Sequence, residues 1–173
     1  MEIVENLDAW SAEFAENWLR HYHETGETLW KVYNRARNET AVAGPGIDLA
    51  HGRLLFISTA GGYVAGEQEP FDAANLLGDY TVRTFPVDMP LSKLAYAHDH
   101  YDHTAVTSDP QVLLPLTHLQ EMVAVGEIGS LHPQVISFHG YQPDVRRIVH
   151  ELIPAVFGGG EQGKVDGALL VPA

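Results

Sequence analysis

Short apolar segments that alternate with helical segments are the feature of this sequence that most constrains its fold. RLLFISTAGGYV (53–64) predicts a buried strand that ends in a glycine turn. Further strands are predicted at 81–87, 94–101, 134–141 and 165–173, with helices at 116–126 and 144–158, the second of these capped by Asp144. Strands and helices that alternate in this way are typical of an α/β fold with a mostly parallel sheet flanked by helices.

Aromatic residues mark the N-terminal part of the chain. Trp10, Phe14, Trp18 and Tyr22 recur every four residues, which predicts a helix from an Asp8 cap to Gly26 and an additional helical arm on the fold. A second short helical stretch is predicted at Leu29, Trp30 and Tyr33. We therefore expect an aromatic helical arm at 1–43 and an α/β domain at 44–173. Trp10, Trp18, Trp30 and Tyr33 carry more aromatic surface than a short arm can bury on itself, so a homodimer is expected.

The charge and the residue types exclude several classes of function. A formal net charge of -13 repels phosphate backbones and acidic membrane surfaces, so we expect neither nucleic acid nor membrane as a partner. The sequence contains no cysteine, which excludes disulfides, thiolate metal sites and chemistry on a thiol of this sequence. The acidic N-terminal segment lacks the apolar core of a signal peptide, and a cytoplasmic location is expected.

The segment HDHYDH (98–103) contains three of the ten histidines. In an extended strand, alternate side chains point the same way, so His98, His100 and Asp102 would share one side. Two imidazoles and a carboxylate could hold Zn²⁺ or another first-row divalent ion, or could transfer protons. Tyr101 and His103 would then be supporting or substrate contacts. A polar turn with hydrogen-bonded histidines is the alternative.

The same six residues match H-x-H-x-D-H, the zinc signature of metallo-β-lactamase-type hydrolases. In that signature the Asp-His pair, here Asp102 and His103, serves a second metal. The following residues, TAVTSD, lack the glycines that usually continue it. Despite this difference, a zinc hydrolase stays open as one hypothesis.

Two other strand ends carry polar residues. STAGGY (58–63) predicts a glycine turn whose Ser58, Thr59, Gly61 and Gly62 could contact an anionic substrate. SFHGY (137–141) places His139 at the end of another strand. Ligand sites in α/β sheets lie at the carboxyl ends of strands, so both segments are candidates for the same pocket.

Five segments, in order, resemble the selenoprotein B family of glycine, sarcosine, betaine and D-proline reductases. They are ISTAGGYVAGEQEPFD, GDYTVRTFP, HDHYDHTAVTSD, VLLPLTHLQEMVAVGEIGSLHPQVISFHGY and VDGALLVPA, and the resemblance runs from about Leu54 to Ala173. It implies a pocket for a small amino-acid-like or carboxylate substrate, at which 58–62, 98–103 and 137–141 would converge, with His139 across the pocket from 98–103.

The sequence also departs from that family. There, the strand resembling GALLVPA leads into a turn that bears the redox cysteine or selenocysteine, whereas this sequence stops at Ala173 and is expected to be truncated before that turn. His139 also stands where the family tends to carry methionine. One hypothesis is a small-molecule enzyme that uses His/Asp acid–base or metal chemistry instead of thiol or selenol reduction. Another is a non-catalytic binding subunit whose partner carries the redox residue.

Overall fold

The fold is built around strand β1, Arg53–Ser58, whose apolar run is buried on both faces. The computed structural model describes residues 3–40, 44–158 and 165–173. β5 (Ser130–Leu131) and β6 (Gln134–Phe138) pair with β1 on one side, and β7 (Gly167–Val171) pairs with it on the other. All three run parallel to β1, which confirms the predicted α/β fold with a mostly parallel sheet.

The remaining strands complete two sheets. β3 (Val82–Pro86) runs antiparallel to β6 and lies at the edge opposite β7. β2 (Gly62–Val64) and β4 (Leu94–Tyr96) form a separate antiparallel pair. The predicted strand 53–64 is therefore two strands, because the glycine turn after β1 redirects the chain into the second sheet.

Helices cover both faces of the main sheet. The helix Leu116–Ala124 packs beside Leu54 and Phe56 on one face. On the other face, Leu55 and Ile57 pack against a helix of three consecutive parts, namely Val145–Arg147, Ile148–Leu152 and Ile153–Phe157. Asp144 caps this helix as predicted, since its carboxylate accepts from the backbone N–H of Arg146 and Arg147. Shorter elements are the helix Thr104–Ser108 and 3₁₀ turns at Trp30–Val32, Leu91–Lys93 and Pro110–Val112.

The N-terminal arm begins with one long helix that ends at Gly26, as predicted. It comprises Leu7–Phe14, Ala15–Leu19 with π-helical bonding, and Arg20–Thr25. The predicted Asp8 cap is wrong: Asn6 occupies that position, and Asp8 lies in the first turn and pairs with Arg146 at 2.9 Å.

The aromatic stripe of the arm is buried within the chain itself. Trp10, Phe14 and Trp18 stack in sequence, and Trp18 is fully buried, whereas Trp30 stays 48% exposed. The aromatic area that was expected to need a second copy is thus largely covered, and the homodimer stays a prediction. The expected boundary between residues 43 and 44 lies at the end of 41–43, which are outside the described residues, and it stays a prediction.

The predicted strand 94–101 is wrong beyond Tyr96, because β4 ends there and residues 99–101 form a bend. In the part of the chain that the structure describes, no helix combines the length and apolar character needed to cross a membrane.

Candidate functional site

The site forms where β1 and β6 end and the chain leaves β4. Gly61 has a φ of 66°, and a β-carbon there would lie 2.3 Å from the carbonyl oxygen of Ala97, so glycine is required for this close approach. The N–H of Gly61 bonds to the carbonyl of Phe138, and Ala60 bridges to His139. These contacts bring His139, at the end of β6, beside the segment that contains His98.

Three imidazoles meet at this point. His98, His100 and His139 each offer a ring nitrogen, and these three atoms lie within 4.8 Å of one another. The rings of His98 and His139 have centroids 4.3 Å apart. His98 is 5% exposed and His139 is fully buried, while His100 is exposed. We call these three residues the histidine cluster; it has a buried pair and one member open to solvent.

Backbone groups set the protonation sites of the buried pair. The N–H of His100 donates to Nδ1 of His98 at 3.1 Å, so neutral His98 carries its proton on Nε2. The carbonyl oxygen of Tyr141, 3.3 Å from Nδ1 of His139, can only accept, so His139 carries its proton on Nδ1. Nε2 of His139 is buried and has no hydrogen-bond partner. The pair therefore presents one N–H donor and one unshared electron pair.

Burial keeps both members of the pair neutral near pH 7. It lowers the pKa of His98 to about 4, and the nearby rings of His139 and His100 add to the effect. Burial also lowers the pKa of His139, against the opposing effect of the Tyr141 carbonyl. Neutral imidazoles can exchange protons with a ligand or bind a metal ion.

Other residues of the HDHYDH segment support the cluster from outside. The carboxylate of Asp102 accepts hydrogen bonds from the backbone N–H and the hydroxyl of Thr104, and these bonds lower its pKa. His103 donates through Nε2 to the carbonyl of His98 at 2.6 Å. The Tyr101 hydroxyl donates to the carbonyl of Ala60, and burial raises its pKa to about 12. All three hold the loop in place.

The predicted metal set His98, His100 and Asp102 is therefore not the one that the structure assembles. It depended on an extended backbone, and the chain bends after β4, so Asp102 turns to Thr104. His139 takes the third position in the cluster. Asp102 and His103, which a second metal would need in the zinc-hydrolase hypothesis, are occupied by Thr104 and by the His98 carbonyl.

The glycine turn contributes less open hydrogen-bonding capacity than expected. The N–H groups of Thr59, Ala60 and Gly61 bond to Val171, to the Ser58 hydroxyl and to Phe138, respectively. Gly62 pairs with Tyr96 in the small sheet. The hydroxyl of Thr59, which accepts from the N–H of Ala173 at 2.9 Å, is the part of this turn that approaches the cluster.

Thr59 and His98 both face Gly140. A β-carbon on Gly140 would lie 3.0 Å from Oγ1 of Thr59 and 3.2 Å from Nε2 of His98. Gly140 itself is exposed, so a side chain there would crowd both groups from the solvent side.

Tyr141 contacts the histidine cluster and was not among the residues predicted from the sequence. Its carbonyl fixes His139, and its ring stacks on His100 with centroids 4.3 Å apart and planes 6° apart. The available signal was its position two residues after His139, in the same strand end.

Comparison with known proteins supports the family resemblance. The sequence profile described as glycine/sarcosine/betaine reductase selenoprotein B matches residues 35–148 of the 173, well over half of the chain. The chain belongs to this family. All members of the histidine cluster lie within the matched residues.

A curated relative extends the comparison. The chain is 28% identical over 96 residues to the D-proline reductase subunit gamma of Acetoanaerobium sticklandii. The match covers 56% of this chain and 40% of that relative, so the chain spans less than half the length of this relative. No solved structure matches the chain significantly. The family membership makes the chain a relative of the reductases.

Proposed function

We propose that this member of the reductase family is a small-molecule enzyme in which His139 transfers a proton and His98 donates a hydrogen bond to the substrate. The observation that carries the proposal is the complementary protonation of two buried, adjacent imidazoles. Nε2 of His139 would accept a proton from the substrate and return one to it, and the Nε2–H of His98 would donate a hydrogen bond to the negative charge that develops. His100, at the open side of the cluster, would contact the substrate.

The low pKa of both rings supports these roles. A base must be unprotonated to accept a proton, and burial keeps His139 so at neutral pH. The pKa of His98, about 4, keeps that ring neutral at pH 7, so its Nε2–H acts as a hydrogen-bond donor. Proton transfer from the substrate to His139 would be favoured, because the negative charge that develops on the substrate would stabilise the His139 imidazolium in the low-dielectric site.

The resemblance to the family supports an amino-acid-like or carboxylate substrate. Proton exchange at the carbon next to a carboxylate is the simplest reaction that the pair could perform on such a molecule. The Thr59 hydroxyl and the space beside Gly140 are proposed as the substrate side of the site, because both adjoin Nε2 of His98.

The experiment is exchange of carbon-bound hydrogen for deuterium in D₂O, followed by ¹H NMR on a panel of amino acids, N-methylated amino acids and short carboxylates. Exchange that requires the protein and is lost in His98→Asn and His139→Gln supports the proposal. Exchange that persists in both variants, or no exchange with any member of the panel, contradicts it.

Metal binding at the same cluster is the second candidate. Three imidazole nitrogens are suitable ligands for Zn²⁺ or another first-row divalent ion, and the carbonyl of Tyr141 would orient His139 as metal-bound histidines require. The unpartnered Nε2 of His139 also fits this role. Such an ion would supply Lewis-acid activation of a substrate carboxylate.

The His98–His100 hydrogen bond sets a condition on this candidate. A His98 ring bound through Nε2 would carry its proton on Nδ1, where the N–H of His100 already points. Metal binding to all three rings therefore requires the His100 amide to turn away. A shift of that amide signal on Zn²⁺ addition tests the candidate, and an unchanged signal at saturating Zn²⁺ contradicts a three-histidine site.

A partner subunit is proposed as well, because the relative in A. sticklandii is named as a subunit. Strand β7 bonds to β1 along one edge, and Leu170 on it is 53% exposed, so this strand would be the contact. Co-purification of the native chain with a second polypeptide, reduced by Leu170→Lys, would support this role. A single polypeptide after purification from its own host would contradict it.

A further inference from the structure

The aromatic arm reaches the histidine cluster through two stacked contacts. Tyr141 stacks on His100 with a 4.3 Å centroid separation, and Trp30 of the arm packs edge-on against Tyr141 at 5.8 Å. Trp30 in turn contacts Trp18, the buried centre of the arm, at 5.5 Å. A continuous row of rings therefore joins the core of the arm to the solvent-exposed imidazole.

Tyr141 is held at both of its ends. Its hydroxyl donates to the carbonyl of Leu76 at 3.0 Å, and its own carbonyl accepts from Nδ1–H of His139. The arm is anchored next to it, since the hydroxyl of Tyr33 donates to the carbonyl of Pro143 at 2.9 Å. The loop after β6 is thus fixed between the arm and the main sheet.

His100 needs such support more than its neighbours do. His98 and His139 are buried and have ring nitrogens bonded to backbone groups. His100 is exposed, and its described ring contacts are with Tyr141, His98 and His139. A near-parallel ring at 4.3 Å restricts rotation of an exposed imidazole by excluding the rotamers that would break the stack.

We infer that Tyr141 is a positioning residue for the histidine cluster and that the N-terminal arm, through Trp30, holds it in place. The inference rests on the proposed proton-transfer site, since it concerns the orientation of that site's exposed member. Trp30 precedes the residues that match the family profile, which begin at 35, so this support comes from outside the family's matched region. The arm is then part of the site as well as a packing element.

The test is NMR of the His100 ring in the full chain without substrate and with chelator present. Stacking predicts nuclear Overhauser contacts between the His100 and Tyr141 rings and an upfield shift of the His100 ring protons. Tyr141→Leu should abolish the contacts and the upfield shift, and Trp30→Ala should reduce both. Tyr141→Phe and Trp30→Phe, which retain a ring, should preserve them.

Phe157→Ala is the matched control, because Phe157 is 53% exposed and lies at the end of a helix on the main sheet. It should leave the His100 signals unchanged. Identical His100 signals in the native protein and in Tyr141→Leu, or in the native protein and in Trp30→Ala, would overturn the inference.

Deuterium exchange separates this inference from the proposed function. Tyr141→Leu should lower the exchange rate roughly tenfold through misorientation of His100, with Tyr141→Phe near the native rate. A native protein that shows the stacked ring but no exchange refutes the proton-transfer proposal alone. Exchange that is equal in native protein and Tyr141→Leu refutes the positioning role alone.

Discussion

The backbone N–H of His100 donates a hydrogen bond to Nδ1 of His98 across 3.1 Å. This bond removes Nδ1 as a metal ligand or base and leaves the other nitrogen of His98 as a donor. At His139 the proton is on Nδ1 instead, so its Nε2 can accept a proton and the pair has one donor and one acceptor. The chemical proposals depend on these two backbone contacts.

Removal of either buried imidazole should abolish most of the exchange activity. In His98→Asn the new amide oxygen can still accept from His100, but the Nε2–H is lost. We expect His98→Asn and His139→Gln each to lower the exchange rate about 10²- to 10⁴-fold, the usual range for the loss of a general base or of a hydrogen-bond donor to the developing charge. His118→Gln, at a side chain that is 67% exposed, is the control and should exchange at the native rate. Equal rates in all three variants would disprove the assignment.

Acid should destabilise the metal-free protein through His98. Because its pKa in the folded chain is about 4, below the value of about 6.5 for a free histidine, the unfolded chain binds the proton more tightly. The stabilising contribution is present above pH 6.5 and is lost as the pH falls towards 4. The loss should amount to no more than about 3 kcal/mol. Urea denaturation at several pH values in this range gives the unfolding free energy, whose dependence on pH should be weaker in His98→Asn than in the native protein. An equal pH dependence in the two proteins would contradict His98 as the cause.

Metal affinity should distinguish the histidine cluster from the set predicted by spacing. His139→Ala and His100→Ala each remove a ligand, so Zn²⁺ or Co²⁺ affinity should fall at least roughly tenfold. Asp102→Asn keeps an oxygen acceptor for Thr104 and should bind metal as the native chain does. Calorimetric titration of the chelator-treated protein measures this. Loss of metal binding in Asp102→Asn with full binding in His139→Ala would instead support His98, His100 and Asp102 as the ligands.

Gly61 should tolerate substitution much less than a second glycine of similar backbone angle. Gly61→Ala places a methyl group 2.3 Å from the Ala97 carbonyl, whereas Gly66, with a φ of 77°, has no atom within 4 Å of that position. Gly61→Ala should cost roughly 3 kcal/mol of unfolding free energy, and Gly66→Ala about 1 kcal/mol for the backbone strain alone. Equal losses on urea denaturation would show that the contact with Ala97 is not limiting.

The sheet could be predicted from the sequence because its strands have recognisable local sequence patterns. β1 is an uninterrupted apolar run between polar loops, and such a run is buried on both faces, as Leu55 and Phe56 are. The start of the helix after Asp144 was predictable because aspartate is a residue type that caps helices. The antiparallel direction of β3 depends on pairing with β6 and has no local signal.

The site was predictable only in part. His98, His100 and His139 were all among the predicted candidates, but spacing joined the first two to Asp102, whereas the structure brings them to His139. An Asp that bonds to the backbone two residues later forms a turn, and this local bond with Thr104 prevailed over the extended conformation. The approach of His139 and the stacking of Tyr141 arise from contacts between distant strand ends. Residue spacing alone carries no information on such contacts.

The most direct test of the central claim is long-range ¹H–¹⁵N NMR of the imidazole rings at pH 7 in chelator-treated protein. We expect neutral His98 with its proton on Nε2 and neutral His139 with its proton on Nδ1. Two rings with the same protonation site, or an imidazolium at either position, would contradict it.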